Sequence, residues 1–131
     1  MEGDVRVLDA SVDGTIPLPE MIHLTDRLNQ PDTDIRQDVE ILTLLFDTFR
    51  QTHDGARPPG GENDEITAQL RGRNSKHLAF IAPDHPAINE EGQLLDRWGT
   101  PYHFHPVSRE ELEFRSAGPD RKLFTGDDVF P

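Results

Sequence analysis

The longest amphipathic segment of the chain runs from about Asp34 to about His53. Its apolar residues recur at alternating spacings of four and three, which is typical of a helix with one buried face. The seam consists of Ile35, Val39, Leu42, Phe46 and Phe49, and it is widened by Ile41, Leu44 and Leu45. We expect Thr33 or Asp32 to cap the start, and Asp54-Gly55 to end the helix. The pattern predicts one long helix packed on an apolar partner.

Two shorter helices are predicted on either side of it. The segment from Pro17 to Asn29 carries apolar residues at roughly helical spacing, with Pro19 admissible in a first turn. After the Pro/Gly-rich stretch at 57–61, Asn63 is expected to cap a helix that ends near Gly72.

Strand signals concentrate in the last third of the chain. Residues 102–107 and 112–115 alternate between apolar and polar positions, and the link at 108–111 is short and polar. This arrangement predicts an antiparallel hairpin. Its inward side chains would be Tyr102, Phe104, Leu112 and Phe114, with His103 and His105 on the outer face. A further short apolar run at 78–81 has the length of a strand.

Composition fits a loop-rich α+β domain better than a helical bundle. The chain has 131 residues, of which 34% are hydrophobic, with 11 Pro and 10 Gly. We expect a long amphipathic helix on a small antiparallel β-sheet in residues 32–131. Residues 1–31 are expected to be an N-terminal arm or short helix, partly disordered, with an edge strand as the alternative for Met1 to Ile16.

The net charge of −12 argues against binding to nucleic acid or to anionic membranes, since both would repel such a surface. The chain has no Cys, which excludes disulfides and thiolate chemistry. It also has no run approaching the ~20 apolar residues of a membrane span. We therefore expect no membrane contact by this chain.

The loop from Ala117 to Val129 is the strongest candidate for chemistry. It contains Asp120, Asp127 and Asp128, separated by turn-forming glycines and a proline. Ca²⁺ prefers a mixture of carboxylate and carbonyl oxygens of the kind such a loop offers. The spacing does not fit an EF-hand, because no Glu stands at the twelfth position. The alternative is that these aspartates cap turns through hydrogen bonds to backbone amides.

A second motif is His103-x-His105 on one strand face. Two imidazoles at this spacing suit Zn²⁺ or Cu²⁺, with His85 or Glu113 as a third ligand. The alternative is an ordinary polar strand face. We interpret the acidic runs around Glu110 and Glu62 as solvated, and Trp98 as a core residue at the end of the sheet.

The order of motifs in the last third resembles the C-terminal domain of the major pseudopilin of type II secretion systems. The resemblance is carried by Leu95-Asp96-x-Trp98-Gly99-x-Pro101-Tyr102, then a hairpin, then Ser116-Ala117-Gly118-Pro119-Asp120 and Gly126-Asp127-Asp128. Upstream, to about Gln37, the similarity is loose. Proteins of this family lay a long N-terminal helix on a small antiparallel sheet and hold calcium in the last loop.

The resemblance implies a pilin-like fold and a non-enzymatic structural or interaction subunit. It assigns Asp120, Asp127 and Asp128 as carboxylate ligands of Ca²⁺, with main-chain oxygens from Ala117 and Thr125. It implies protein partners, through pilin-like self-assembly or secretion components. The alternatives are a metal-handling protein or metalloenzyme using His103 and His105, and a cytoplasmic binding domain without metal.

The chain departs from the family at two places. Pilins begin with a prepilin cleavage site and a very apolar helix with a Glu near its start, and neither occurs here. The expected location is thus the periplasm or the outer face of the inner membrane if an N-terminal anchor was removed, and the cytoplasm otherwise. Arg121 and Lys122 also stand in the loop, where they would weaken a Ca²⁺ site unless they point outward.

Overall fold

The computed structural model describes residues 14–131, which contain three helices and two small sheets. The helices are α1 (Pro19–Thr25), α2 (Ile35–Thr52) and α3 (Asn63–Leu70). The strands are β1 (Ile16–Pro17), β2 (Leu78–Ala79), β3 (His103–Pro106) and β4 (Leu112–Arg115). The arm or edge strand expected from Met1 falls mostly on residues 1–13, which lie outside the described part. The mixture of helices and small sheets is α+β, as predicted. Within residues 14–131, none of the helices combines the length and the apolar character that crossing a membrane requires.

Helix α2 matches the predicted long helix, but a different residue caps it. The Asp34 side chain accepts a hydrogen bond from the backbone N–H of Gln37 at 2.9 Å, and the Gln37 side chain accepts one from the N–H of Asp34 at 3.0 Å. This reciprocal pair is a capping box. The predicted caps were wrong. The Thr33 hydroxyl instead contacts the carbonyls of Arg27 and Gln30, which closes the preceding turn.

The hydrophobic core is built around α2 and includes the inward side chains of the hairpin. Phe46 of α2 contacts Phe104 and Phe114, with ring centroids 5.7 and 5.5 Å apart. The predicted seam is confirmed, since Val39, Leu42, Phe46 and Phe49 are buried and Ile35 packs against the core. The prediction for Leu44 was wrong. Leu44 is 51% exposed because it lies about half a helical turn away from Leu42.

The shorter helices are tied to the rest of the domain by buried polar side chains. Thr25 at the end of α1 donates its hydroxyl to the Phe80 carbonyl at 3.1 Å, which ties α1 to the segment after β2. Helix α3 is capped by Glu62 in a capping box with Glu65, so the prediction that Asn63 caps it was wrong. Asn63 is buried, and its side-chain amide donates to the carbonyls of Leu94 and Tyr102 at 3.1 and 2.8 Å.

The sheets differ from the single antiparallel sheet that the sequence predicted. The hairpin of β3 and β4 is antiparallel as expected, with His103 opposite Arg115 and His105 opposite Glu113. The short run at 78–79 pairs with Ile16–Pro17 instead, and this pair is parallel. A parallel pair needs a long crossover, and the three helices between β1 and β2 provide it.

Candidate functional site

Residues 95–102 form a bend that leads into the hairpin, and the buried carboxylate of Asp96 holds this bend together. Asp96 is 2% exposed, and its Oδ1 accepts hydrogen bonds from the backbone N–H groups of Trp98 and Thr100, both at 3.0 Å. Its Oδ2 accepts the hydroxyl of Ser116 at 2.6 Å. Ser116 directly follows β4, so Asp96 joins the bend to the start of the C-terminal loop.

The two large aromatic residues of this bend behave differently. Tyr102 is 2% exposed and belongs to the core, whereas Trp98 is only half-buried, so the prediction that Trp98 is a core residue was wrong. Within the described residues the buried Tyr102 hydroxyl has no hydrogen-bond partner. Burial raises the pKa of Tyr102 strongly, and the nearby charges of Asp38 and Asp96 raise it further. The phenol therefore stays neutral.

A second buried carboxylate ties α2 to the same bend. Asp38 is fully buried, and the Arg97 guanidinium donates to it at 2.7 Å. The backbone N–H of Asn29 donates to the other Asp38 oxygen at 3.1 Å. The hydrogen bond to Asp38 raises the pKa of Arg97. The ion pair of Asp38 with Arg97 was not predicted from the sequence. The available signal was the position of Asp38, an acidic residue on the apolar seam of α2.

The C-terminal loop is closed at its base by backbone pairing. Ser116 and Val129 exchange two hydrogen bonds, at 2.9 and 3.0 Å. Inside this closure Gly118 has a φ of +80°, and a Cβ placed there would fall on the carbonyl oxygen of Asp127. The loop thus requires glycine at this position, both for its backbone conformation and for the close approach of the Asp127 carbonyl.

The Asp128 carboxylate holds the loop against the hairpin. The Arg115 guanidinium donates to it at 3.0 Å, and the backbone N–H of Phe124 donates at 2.7 Å. The N–H of Thr125 donates to the other oxygen at 3.3 Å. Burial alone would raise the pKa of Asp128, but the hydrogen bonds from Arg115 and from the two amides outweigh burial and lower it.

The other proposed ligands are more accessible. Asp120 is exposed and accepts hydrogen bonds from the backbone N–H of Lys122 at 2.9 Å and from the Thr125 hydroxyl at 2.8 Å. Asp127 is exposed. Ala117 is fully buried, and the Thr125 carbonyl accepts the N–H of Asp128 at 3.2 Å. Asp120 and Asp128 therefore cap turns within the loop.

The cations and carboxylates around the loop bear on its ion-binding capacity. Arg121 and Lys122 are both exposed, so their charges extend into solvent. Across residues 14–131, no three histidine, aspartate or glutamate side chains are grouped so that they could hold a metal ion as they stand. Glu110, Glu111 and Glu113 are exposed, as the sequence predicted.

Four of the six histidines fall into two groups, buried and on the hairpin. His85 is buried, its Nε2 lies 2.9 Å from the Thr25 carbonyl and its Nδ1 accepts the N–H of Ala87 at 3.0 Å. Both nitrogens are thus used, and His85 is not a third ligand for the hairpin. His53 is also buried and contacts Asn74 at 3.2 Å. His103 and His105 instead lie on the outer face of the hairpin, as predicted.

A groove of about 600 Å³ opens over this outer face. Arg115 crosses it, with its guanidinium 5.0 Å from the ring centroids of both Phe124 and Phe130. The two exposed rings therefore stack on the Arg115 guanidinium, which accounts for part of their position at the surface. The His103 ring meets the Phe124 ring edge-on at 5.4 Å.

Comparison with known proteins identifies no relative. No family model, no curated protein and no solved structure matches the chain.

Proposed function

We propose that this chain is a non-enzymatic structural or interaction subunit resembling the soluble domain of a type II secretion pseudopilin. The observation that carries the proposal is the order of connected parts: α2 packs through Phe46 on the hairpin, and the Asp96 bend bonds to Ser116, where the C-terminal loop begins. The bend, the hairpin and the C-terminal loop are the parts that carried the sequence resemblance, and α2 lies in the upstream part where the resemblance is loose.

The proposal includes a structural Ca²⁺ in the C-terminal loop. The ligands would be the carboxylates of Asp120, Asp127 and Asp128, with main-chain oxygens of Ala117 and Thr125. The donor set fits Ca²⁺ in kind, because these are carboxylate and carbonyl oxygens in one turn-rich loop. Each oxygen of Asp120 accepts one hydrogen bond in the loop, which leaves a second lone pair on each.

Arg115 is the main competitor for such an ion. Its guanidinium neutralises Asp128 at 3.0 Å, so Asp120 and Asp127 offer the more available negative charge. Ca²⁺ bound there would hold the loop by neutralising clustered carboxylates, and it would add to the closure that Ser116 and Val129 already provide.

The expected partners are proteins, either further copies of the chain or components of a secretion machinery. The expected location is outside the cytoplasm. A cytoplasmic binding domain without metal is the alternative, and it differs in its response to Ca²⁺.

The test is thermal unfolding of the full chain in millimolar Ca²⁺ and in EDTA. Binding to the folded state alone stabilises it by about 2.7 kcal/mol at a hundredfold excess over Kd. We expect a higher Tm with Ca²⁺, and we expect Asp127→Asn to reduce the gain. Asp84→Asn, a change at an exposed aspartate outside the loop, is the matched control. Superimposed melts for the unmodified chain would remove Ca²⁺ from the proposal.

A further inference from the structure

The outer face of the hairpin brings together three side chains that can coordinate a transition metal. His103 and His105 are separated by one residue on β3 and therefore lie on the same face. The strand register places Glu113 of β4 directly opposite His105. Directly opposed residues have Cβ atoms about 4.5–5.5 Å apart, within reach of a shared ion.

The donor atoms of these side chains are free. Among residues 14–131, neither the imidazole nitrogens of His103 and His105 nor the Glu113 carboxylate is engaged in a hydrogen bond or ion pair. The buried His85 differs, since both of its nitrogens have partners. His105 and Glu113 are also exposed, so within residues 14–131 their side chains can turn toward an ion without breaking a hydrogen bond or ion pair.

The charge opposite His103 is already neutralised. Arg115 is paired with Asp128 and stacked between Phe124 and Phe130, which draws its guanidinium toward the C-terminal loop. The edge-on contact with Phe124 limits where the His103 ring can point. The net charge of −12 further favours a cation at this surface.

From this arrangement we propose a second ion site, formed by His103, His105 and Glu113, that takes a divalent transition metal of the imidazole-binding class, with Zn²⁺ as the representative ion. The side chains do not converge on one point as they stand, so the site requires the exposed His105 and Glu113 to turn toward His103. The usual Zn–N distance in such a site is about 2.0–2.1 Å. Two imidazoles and one carboxylate leave a fourth position open to water. The site uses a different set of ligands from the proposed Ca²⁺ site, and Ca²⁺ prefers oxygen ligands.

The experiment is isothermal titration calorimetry of the full chain with ZnCl₂ at neutral pH, which measures the affinity for Zn²⁺, repeated for single variants. Loss of one ligand costs at least as much as loss of a supporting group, so His105→Asn and Glu113→Gln are each expected to weaken binding by about tenfold or more. His77→Asn is the matched control, since His77 is exposed but lies outside the hairpin.

Two readouts distinguish Zn²⁺ on the hairpin from Zn²⁺ bound elsewhere on the chain. Addition of Zn²⁺ should shift the imidazole nitrogen NMR signals of His103 and His105 and leave those of His85 unchanged. The tryptophan fluorescence of Trp98 checks that each variant is folded. Absence of Zn²⁺ binding to the unmodified chain overturns the proposal. Binding that survives His105→Asn but is lost in Asp127→Asn also overturns it and assigns the ion to the C-terminal loop.

Discussion

Asp96 in the bend and Asp128 in the C-terminal loop make nearly the same local contacts in different surroundings. Each carboxylate accepts hydrogen bonds from two backbone N–H groups. Each also has one side-chain partner, which is Ser116 for Asp96 and Arg115 for Asp128. Asp96 is enclosed by the core, whereas Asp128 has the exposed carboxylates of Asp120 and Asp127 as neighbours in its loop. The Asp96 carboxylate is buried and fully used in holding the fold together, while the C-terminal loop keeps exposed negative charge on Asp120 and Asp127.

The largest expected effect comes from removing the enclosed acid. Asp96→Ala leaves two amides and the Ser116 hydroxyl without their partner, and a buried unsatisfied group costs about 1–3 kcal/mol. We expect a loss of about 3 kcal/mol or more in the free energy of unfolding. Urea denaturation followed by Trp98 fluorescence measures it, since the chain has a single Trp. Asp120→Ala should cost about 0.5 kcal/mol, as is usual for surface changes. Equal losses in the two variants would contradict the comparison.

The next effect tests how tightly the loop is closed. Gly118→Ala combines a left-handed backbone conformation with overlap against the Asp127 carbonyl, so we expect a cost of about 2–4 kcal/mol. Gly99→Ala is the control, because Gly99 has a φ of +86° with open space around its Cβ position. Its cost should be about 1–2 kcal/mol from the backbone alone. If urea denaturation gives the same loss of unfolding free energy for both variants, the Asp127 carbonyl does not obstruct a Cβ at position 118.

Tyr102→Phe is expected to stabilise the protein. It removes a buried hydroxyl that has no partner within residues 14–131, and such a group costs about 1 kcal/mol or more. The gain should be about 1 kcal/mol, measured as a higher urea midpoint at an unchanged m value. A loss of stability in place of this gain would show that the Tyr102 hydroxyl makes a hydrogen bond, which would add Tyr102 to the polar contacts of the bend.

The smallest effect is the pH dependence of the loop. The pKa of folded Asp128 lies below its ordinary value of 3.8, so the unfolded chain binds this proton more readily. The stabilisation is complete above the ordinary value and is lost as the pH falls through the lowered one. We expect the Tm difference between the unmodified chain and Asp128→Asn to shrink as the pH falls below about 4. A difference that is constant with pH would contradict the role of the Asp128 charge.

Much of the fold could be predicted because it depends on local periodicity. The seam of α2 and the alternation of the hairpin are both visible as spacing, and both segments are present in the structure. The misassigned caps show the limit of periodicity. By residue type, acceptable caps are Asp32, Thr33 and Asp34. In the structure Asp34 caps the helix, while the Thr33 hydroxyl donates to the carbonyls of Arg27 and Gln30 instead.

The candidate sites likewise depend partly on residue order and partly on the tertiary structure. Residue order placed His103 and His105 on one outer face, and it placed three aspartates in one turn-rich loop. It offered Glu113 and His85 alike as a third ligand, and the pairing of the two strands decides between them by placing Glu113 opposite His105. Residue order could not show that His85 is buried with both nitrogens bonded, since its partner Thr25 lies far away in the chain.

Residue order alone sets where α2 and the hairpin form, which faces they bury, and the acidic character of the surface, since these follow from the succession of side chains along a periodic backbone. Packing of the folded chain then selects which acids serve the fold and which face solvent. Asp38 and Asp120 have the same chemistry, yet Asp38 is buried against Arg97 and Asp120 is exposed. That difference arises only when distant segments pack together, because burial and partner, not residue type, set what a carboxylate does.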